Sequence, residues 1–300
     1  MPNNIPPAPF GRTLTAMVTP FTAEGAIDID SGVALARHLV DRKNDGIVLN
    51  GTTGEAPATH TPEKSEFVRQ VVEAVGDQVK IVAGVGSNDT AHTLRMAEHA
   101  QAAGAHGLLI VTPYYSRPSQ AGLIAHIAKV ASAVDLPILL YDVPSRAGIK
   151  YTLESLKHLA DIPNVVGYKD ATGDLYTAAK GIASTDLAWY CGDDSAYVPF
   201  LSVGASGIIS VASHLVSEEF AQIADLFAAG DLEGARAVFA KIFPAIDAVN
   251  GYGHQATATK AALVELGVLP RATVRLPNVE VDEQELAAIR GHLRQAGLLA

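Results

Sequence analysis

Short apolar runs alternate along the chain with longer stretches in which apolar positions recur every three or four residues. The runs fall near 13–18 (TLTAMV), 46–50 (GIVLN), 79–84 (VKIVAG), 107–111 (GLLIV), 136–141 (LPILLY), 164–169 (NVVGYK), 187–191 (LAWYC) and 206–211 (SGIISV). They are apolar throughout rather than alternating, as expected of parallel strands covered on both faces. The intervening segments have helical spacing and several readable boundaries. Asp30 or Ser31 is placed to cap one helix, Thr61 with Pro62 behind it another, and Asp89 or Thr90 a third. Gly76, Gly104 and Gly181 stand where those helices and a later one should stop. Eight strands alternating with helices predict an α/β fold, a closed (β/α)8 TIM barrel. No GxGxxG follows the first strand, which weighs against a dinucleotide-binding sheet.

After the eighth strand the beat changes. From about 215 to 300 the pattern is helical (EEFAQIADLFAAG, ARAVFAKIFPAIDAV, ATKAALVELG, EQELAAIRGHLRQAG), more than the one helix needed to close a barrel. The expectation is a Pro-rich N-terminal arm over 1–12, a barrel over 13–230 and an appendage of about three helices over 231–300. No linker separates the last two, so the appendage should pack on the barrel.

Composition narrows the class. Three hundred residues suit one barrel of about 250 residues with an addition. A net charge of −10 argues against a nucleic-acid partner. The single cysteine, Cys191, excludes an intrachain disulfide, suits a reducing compartment and reads as a small core residue. No charged segment leads into an apolar signal sequence, and no apolar run is long enough to cross a bilayer. A cytoplasmic protein without a membrane partner is expected.

Barrel chemistry sits at the C-terminal ends of the strands. Lys80 begins its strand and so lies at the wrong end. Lys43, Lys64, Lys129, Lys157, Lys180 and Lys241 fall in helix patterns and read as solvated charges, Lys150 in a loop and Lys260 in the appendage. Only Lys169 terminates an apolar strand. An amine in a barrel mouth loses water, its pKa falls, and it becomes free to attack a ketone. The alternative is a rim lysine paired with Asp170, and position alone does not decide between them. Neighbouring strand ends favour chemistry. Asn50-Gly51-Thr52-Thr53-Gly54-Glu55 offers two hydroxyls between glycines, a cradle suited to a carboxylate. Thr112-Pro113-Tyr114-Tyr115 and Tyr141-Asp142-Val143-Pro144-Ser145-Arg146 bring phenols able to relay protons and a guanidinium able to hold a second carboxylate. The ten histidines contain no HExxH, and His92, His99 and His106 read as surface or packing residues, so neither metal nor organic cofactor is expected.

GTTGE (51–55), VTPYY (111–115), LLYDVPSR (139–146), VGYKDATGD (166–174), CGDD (191–194) and GASGIISV (204–211) resemble the signature segments of the dihydrodipicolinate synthase/N-acetylneuraminate lyase superfamily, in order and at the right strand ends. The resemblance runs from about residue 12 to the C-terminus. It implies that Lys169 forms a Schiff base with pyruvate and that Tyr141 carries protons. Thr52 and Tyr115 match its relay partners, Tyr115 reaching across a tight dimer interface and Tyr114 helping to build a subunit contact. Thr53 and the backbone of Ile209 match positions that hold the pyruvate carboxylate, with Gly192 nearby. Arg146 matches the residue that receives the carboxylate of L-aspartate-4-semialdehyde. The implied assembly is a homotetramer of tight dimers, and the implied substrates are pyruvate and an aldehyde in the diaminopimelate/lysine pathway. Aldolases for 2-keto-3-deoxy-sugar acids or hydroxy-oxo acids are the closest rivals. Neuraminate lyases usually carry Ser-Thr at Thr52-Thr53 and lack the arginine. A silent pyruvate-binding barrel would have lost Lys169 or a relay tyrosine. Members inhibited by lysine carry other residues where this chain has Ala56, Thr61, Lys64 and His92, although Asn88 and Tyr114 remain compatible, so weak or absent inhibition is expected.

Overall fold

In the computed structural model, which describes residues 8–300, all eight expected strands form. They are β1 (Thr13–Ala16), β2 (Gly46–Leu49), β3 (Lys80–Gly84), β4 (Gly107–Val111), β5 (Ile138–Asp142), β6 (Val165–Asp170), β7 (Ala188–Cys191) and β8 (Gly207–Ser210). They close into one barrel in chain order, every pairing parallel, with Leu14 of β1 opposite Ile209 of β8. Alternation along each strand sorts two cores. Leu14, Ala16, Val48, Val82, Leu109, Leu139 and Ile209 fill the barrel interior, while Ile47, Ile81, Leu108, Leu140, Trp189 and Ile208 join the layer beneath the helices. Of the arm expected over 1–12, residues 1–7 lie outside the described residues. Phe10 is buried in the interior cluster, with its N–H on the Tyr190 hydroxyl.

The barrel helices are α1 (Ile29–Asp41), α2 (Glu63–Val75), α3 (Thr90–Ala102), α4 (Gln120–Ala131), α5 (Pro144–Ala147), α6 (Leu153–Ala160), α7 (Leu175–Ile182), α8 (Tyr197–Ser202) and α9 (Ser213–Ala228). Three boundaries differ from those expected. Asp28, not Asp30 or Ser31, caps α1, its carboxylate accepting from the Ser31 N–H at 3.1 Å. Asp30 instead sits in the first turn, where the helix dipole favours an anion. Thr61 does not cap α2, because Pro62 is itself the boundary residue and the Thr61 hydroxyl turns to Met96 Sδ. Gly181 lies inside α7 rather than past its end. The Trp189 ring packs against it, and a Cβ there would stand 2.2 Å from that ring. Asp89 caps α3 as expected, and Gly76 and Gly104 follow α2 and α3.

Beyond α9 the chain forms α10 (Leu232–Lys241), α11 (Phe243–Asn250), α12 (Gln255–Glu265) and α13 (Glu283–Gln295), four helices where about three were expected. The expected helix over ARAVFAKIFPAIDAV divides at Ile242, since Pro244 has no N–H to donate to the preceding turn. Helices α11, α12 and α13 pack on one another, and α12 also packs on α9. Among the described residues no helix is long and apolar enough to cross a membrane.

Candidate active site

The β5–β6 register places Tyr141 beside Lys169, and the β6–β7 register places Tyr190 on its other side. Because Tyr168 faces the helices, Lys169 faces the barrel interior. Lys169 is 6% exposed, and its Nζ lies 4.5 Å from the centre of the Tyr141 ring. Burial lowers its pKa to about 8, against the opposing pull of Asp194. Burial also raises the Tyr141 phenol, opposed by the nearby Thr52 hydroxyl and the charge of Arg146, so Tyr141 is protonated at neutral pH. On the helix-facing side of the same strand ends, Asp142 accepts from the Tyr151 N–H and the Tyr168 hydroxyl, and Asp170 from the Trp189 indole. These bonds hold both strand ends in place.

Thr52 and buried Thr53 lie in the loop leaving β2. Gly84 at the end of β3 makes room for this loop, since a Cβ there would meet the Asn50 carbonyl oxygen at 2.3 Å. Among the described residues five non-glycines adopt left-handed backbone, and four of them, Asn50, Glu55, Tyr115 and Arg117, lie in the loops after β2 and β4. Strain of this kind collects where a loop must hold a particular shape. Arg146 stands on α5, the single turn directly after β5, and is exposed. Tyr115 is 89% exposed on this chain. Gly192 follows β7 with its N–H on the Asp170 carbonyl, and Ile209 is buried in β8.

A cleft of ≈ 580 Å³ opens at this rim, and its walls include Thr52, Tyr141, Arg146, Tyr114 and Tyr115. Lys169, Thr53, Ile209 and Gly192 lie outside its walls. The structure thus gathers the expected residues at one end of the barrel, with part of the set facing open space and part set into the core.

Four features escaped the sequence reading. Lys64 is not a solvated charge. It is 8% exposed, lines the cleft, donates to the Ala56 carbonyl at 2.8 Å, and has its pKa lowered to about 8 by burial. His92, His60 and His254 also line the cleft. Asp194 is buried near Lys169 and accepts from the Ala212 N–H and the Asn250 amide, both at 2.9 Å, tying the loops after β7 and β8 to α11. Lys260, expected only as an appendage charge, is fully buried against Glu55 at 2.6 Å. Among the described residues no three His, Cys, Asp or Glu side chains are grouped to hold a metal.

A closed parallel barrel with a buried amine of lowered pKa beside a phenol at its C-terminal mouth defines a (β/α)8 protein built for chemistry at that mouth. The chain belongs to the dihydrodipicolinate synthetase family, whose model matches residues 9–296. It is 46% identical to a 4-hydroxy-tetrahydrodipicolinate synthase of Bifidobacterium animalis subsp. lactis over 98% of this chain and 96% of that one. Identity to 4-hydroxy-tetrahydrodipicolinate synthase 2 of Streptomyces coelicolor is also 46%, over 99% of each chain. Among solved structures, the dihydrodipicolinate synthase of Cyanidioschyzon merolae with lysine bound superposes with a TM-score of 0.94 at 36% identity, covering 98% of this chain and all of that one.

Proposed function

We propose that the chain condenses pyruvate with L-aspartate-4-semialdehyde to 4-hydroxy-tetrahydrodipicolinate through a Schiff base on Lys169. The observation that carries this reading is the Lys169 amine, buried at the inner mouth of the barrel, brought to a pKa of about 8 and set beside Tyr141. The family and the names of its relatives support the substrate pair.

The neutral amine attacks the pyruvate ketone carbon, and loss of one water leaves an iminium. The iminium acidifies the methyl protons, and Tyr141, with Thr52 and Tyr115 as relay partners, carries one away to give an enamine. The enamine carbon bonds to the aldehyde carbon, and the aldehyde oxygen takes a proton. The substrate's own amine then attacks the iminium carbon and displaces Lys169, closing the ring and regenerating the enzyme. Thr53 and the Ile209 backbone receive the pyruvate carboxylate, with Gly192 nearby, and Arg146 the carboxylate of the aldehyde.

Tyr115 is nearly free of its own chain, which supports its acting in the site of a second subunit, within a homotetramer built from tight dimers. The fold alone does not impose that assembly. A structural relative described as a monomeric dihydrodipicolinate synthase variant superposes with a TM-score of 0.93 at 32% identity, covering 97% of this chain and 98% of that one. The enzyme acts in the cytoplasm, without an added cofactor.

Borohydride reduction in the presence of pyruvate should leave a stable adduct on the peptide containing Lys169, read by mass spectrometry. An unmodified Lys169 would sink the reading. Turnover should be rapid with aspartate semialdehyde and slow with N-acetylmannosamine, glyceraldehyde or glyoxylate, and the reverse preference would overturn the choice of aldehyde.

A further inference from the structure

The mechanism leaves two buried lysines unused, Lys64 on the cleft wall and Lys260 among the C-terminal helices. Lys260 lies on α12, fully enclosed, and donates to Glu55 Oε1 at 2.6 Å and to the Thr273 carbonyl at 2.8 Å. Its Nζ also sits 4.1 Å from the centre of the Phe21 ring. The other oxygen of Glu55 accepts from the Arg275 N–H at 3.0 Å and the Asn278 amide at 3.4 Å. The Arg275 guanidinium covers the same Phe21 ring and grips Glu63 with two hydrogen bonds, 2.6 and 2.8 Å long. It also donates to the Ala58 and Gly25 carbonyls. One carboxylate therefore collects the segment after α12, while Arg275 joins that segment to the loops after β1 and β2.

Glu55 is also the residue that closes the turn bearing Thr52. Its left-handed backbone, with φ of 55°, directs its N–H to the Thr52 carbonyl at 3.1 Å, and the next N–H returns to Gly51 at 3.2 Å. An ion pair buried merely to stabilise is a poor device, because apolar side chains of similar volume usually do as well or better. What the pair adds is direction: charged hydrogen bonds set one position for a turn that apolar packing would leave with several.

We infer that Lys260 and Glu55 are positioning residues for the reaction, the buried pair through which the C-terminal helices hold the Thr52–Thr53 loop in register with Tyr141 and Lys169. The inference rests on the role proposed above for Thr52. Small displacements of a relay hydroxyl lower turnover steeply while leaving the amine free to capture its ketone.

The test compares Lys260→Met, Lys260→Arg and the double variant Glu55→Gln/Lys260→Met with the parent enzyme. Each is assayed for the borohydride adduct at saturating pyruvate, for kcat and KM, and for its urea midpoint. Lys260→Met should still form the full Lys169 adduct while kcat falls on the order of tenfold or more, and Lys260→Arg should recover part of the loss. The double variant leaves no buried charge unpaired, so it should regain stability and yet keep the low kcat. It also decides the matter if Lys260→Met does not fold. A stable double variant, or a folded Lys260→Met, with kcat within about twofold of the parent would reduce the pair to a fold element and overturn the inference. Loss of the adduct in the parent enzyme would instead strike at the Schiff base itself, so the two failures are distinct.

Discussion

Replacing Lys169 by methionine should strengthen the fold while abolishing turnover. The side chain sits in the interior at 6% exposure, and burial brings the ammonium from an ordinary 10.5 to about 8. Each unit of pKa corresponds to 1.36 kcal/mol, so holding this charge in the native barrel costs about 3 kcal/mol. Methionine fills a similar volume with nothing to desolvate. It forfeits the contact of the ammonium with the Tyr141 ring, worth about 1 kcal/mol. The net gain is then about 2 kcal/mol at pH 7. Below pH 8 the lysine is protonated in both native and unfolded chains, and the native state bears the full penalty. Between 8 and 10.5 the native amine is neutral while the unfolded one still binds a proton, so the wild-type fold gains stability as pH rises. Above 10.5 neither is charged and the penalty is gone. The advantage of Lys169→Met should therefore be greatest at pH 7 and shrink across that window. Urea unfolding of both proteins at matched concentration, at pH 7 and again near 10, measures the difference directly. Equal stability at pH 7, or a gap that does not narrow on raising the pH, would refute the desolvated-amine argument on which the chemistry depends.

Other substitutions separate the parts of the site. Arg146→Met should raise KM for the aldehyde by roughly ten- to a hundredfold, the worth of a charged hydrogen-bonded contact, and leave pyruvate trapping on Lys169 unchanged. An equal loss for pyruvate would move Arg146 to the other half of the site. Gly181→Ala would set a methyl group 2.2 Å from the Trp189 ring. Strain of this kind should lower stability by about 1–3 kcal/mol with kcat and KM preserved, and an unshifted melting temperature would contradict that packing. L-lysine should inhibit weakly or not at all, because Lys64 presents a cation on the cleft wall. Half-inhibition at sub-millimolar lysine would show that reasoning to be wrong.

The barrel was legible because its signals are local and repeated. A run such as GLLIV is apolar on both faces, as a parallel strand covered by helices requires. The placement of Lys169 at the mouth was legible for the same reason, although its position alone left open whether it reacts or pairs with Asp170. The misreadings share a different cause. Lys64 and Lys260 sit at helical spacing that looks solvated until the partner surface is known; Lys64 turns back to Ala56 in the loop before its helix, and Lys260 meets Glu55 from a segment distant in the chain. A clue existed for Lys260, because the polar positions of α12 (QATATKAALVE) are spread around the helix and no side of it is marked for solvent. Gly181 was misassigned because a helix-stopping glycine and one that admits a neighbouring ring look identical in sequence. Asp28 was passed over for Asp30 and Ser31 because three adjacent cap formers compete, and only backbone geometry chooses among them.

The pairing of β1 with β8 carries a consequence for synthesis on the ribosome. Strand β1 emerges early, yet one of its edges stays open until roughly two hundred further residues have been made, when Ile208 and Ile209 arrive to meet Thr13 and Leu14. At ordinary translation rates of about 5–20 residues per second that edge is exposed for ten seconds or more. An unpaired apolar strand is a template for wrong partners, including its counterpart on a neighbouring nascent chain. The nascent protein thus passes through its most aggregation-prone interval before its last strand is translated, and chaperone demand in the cell should track that interval more closely than the stability of the finished barrel.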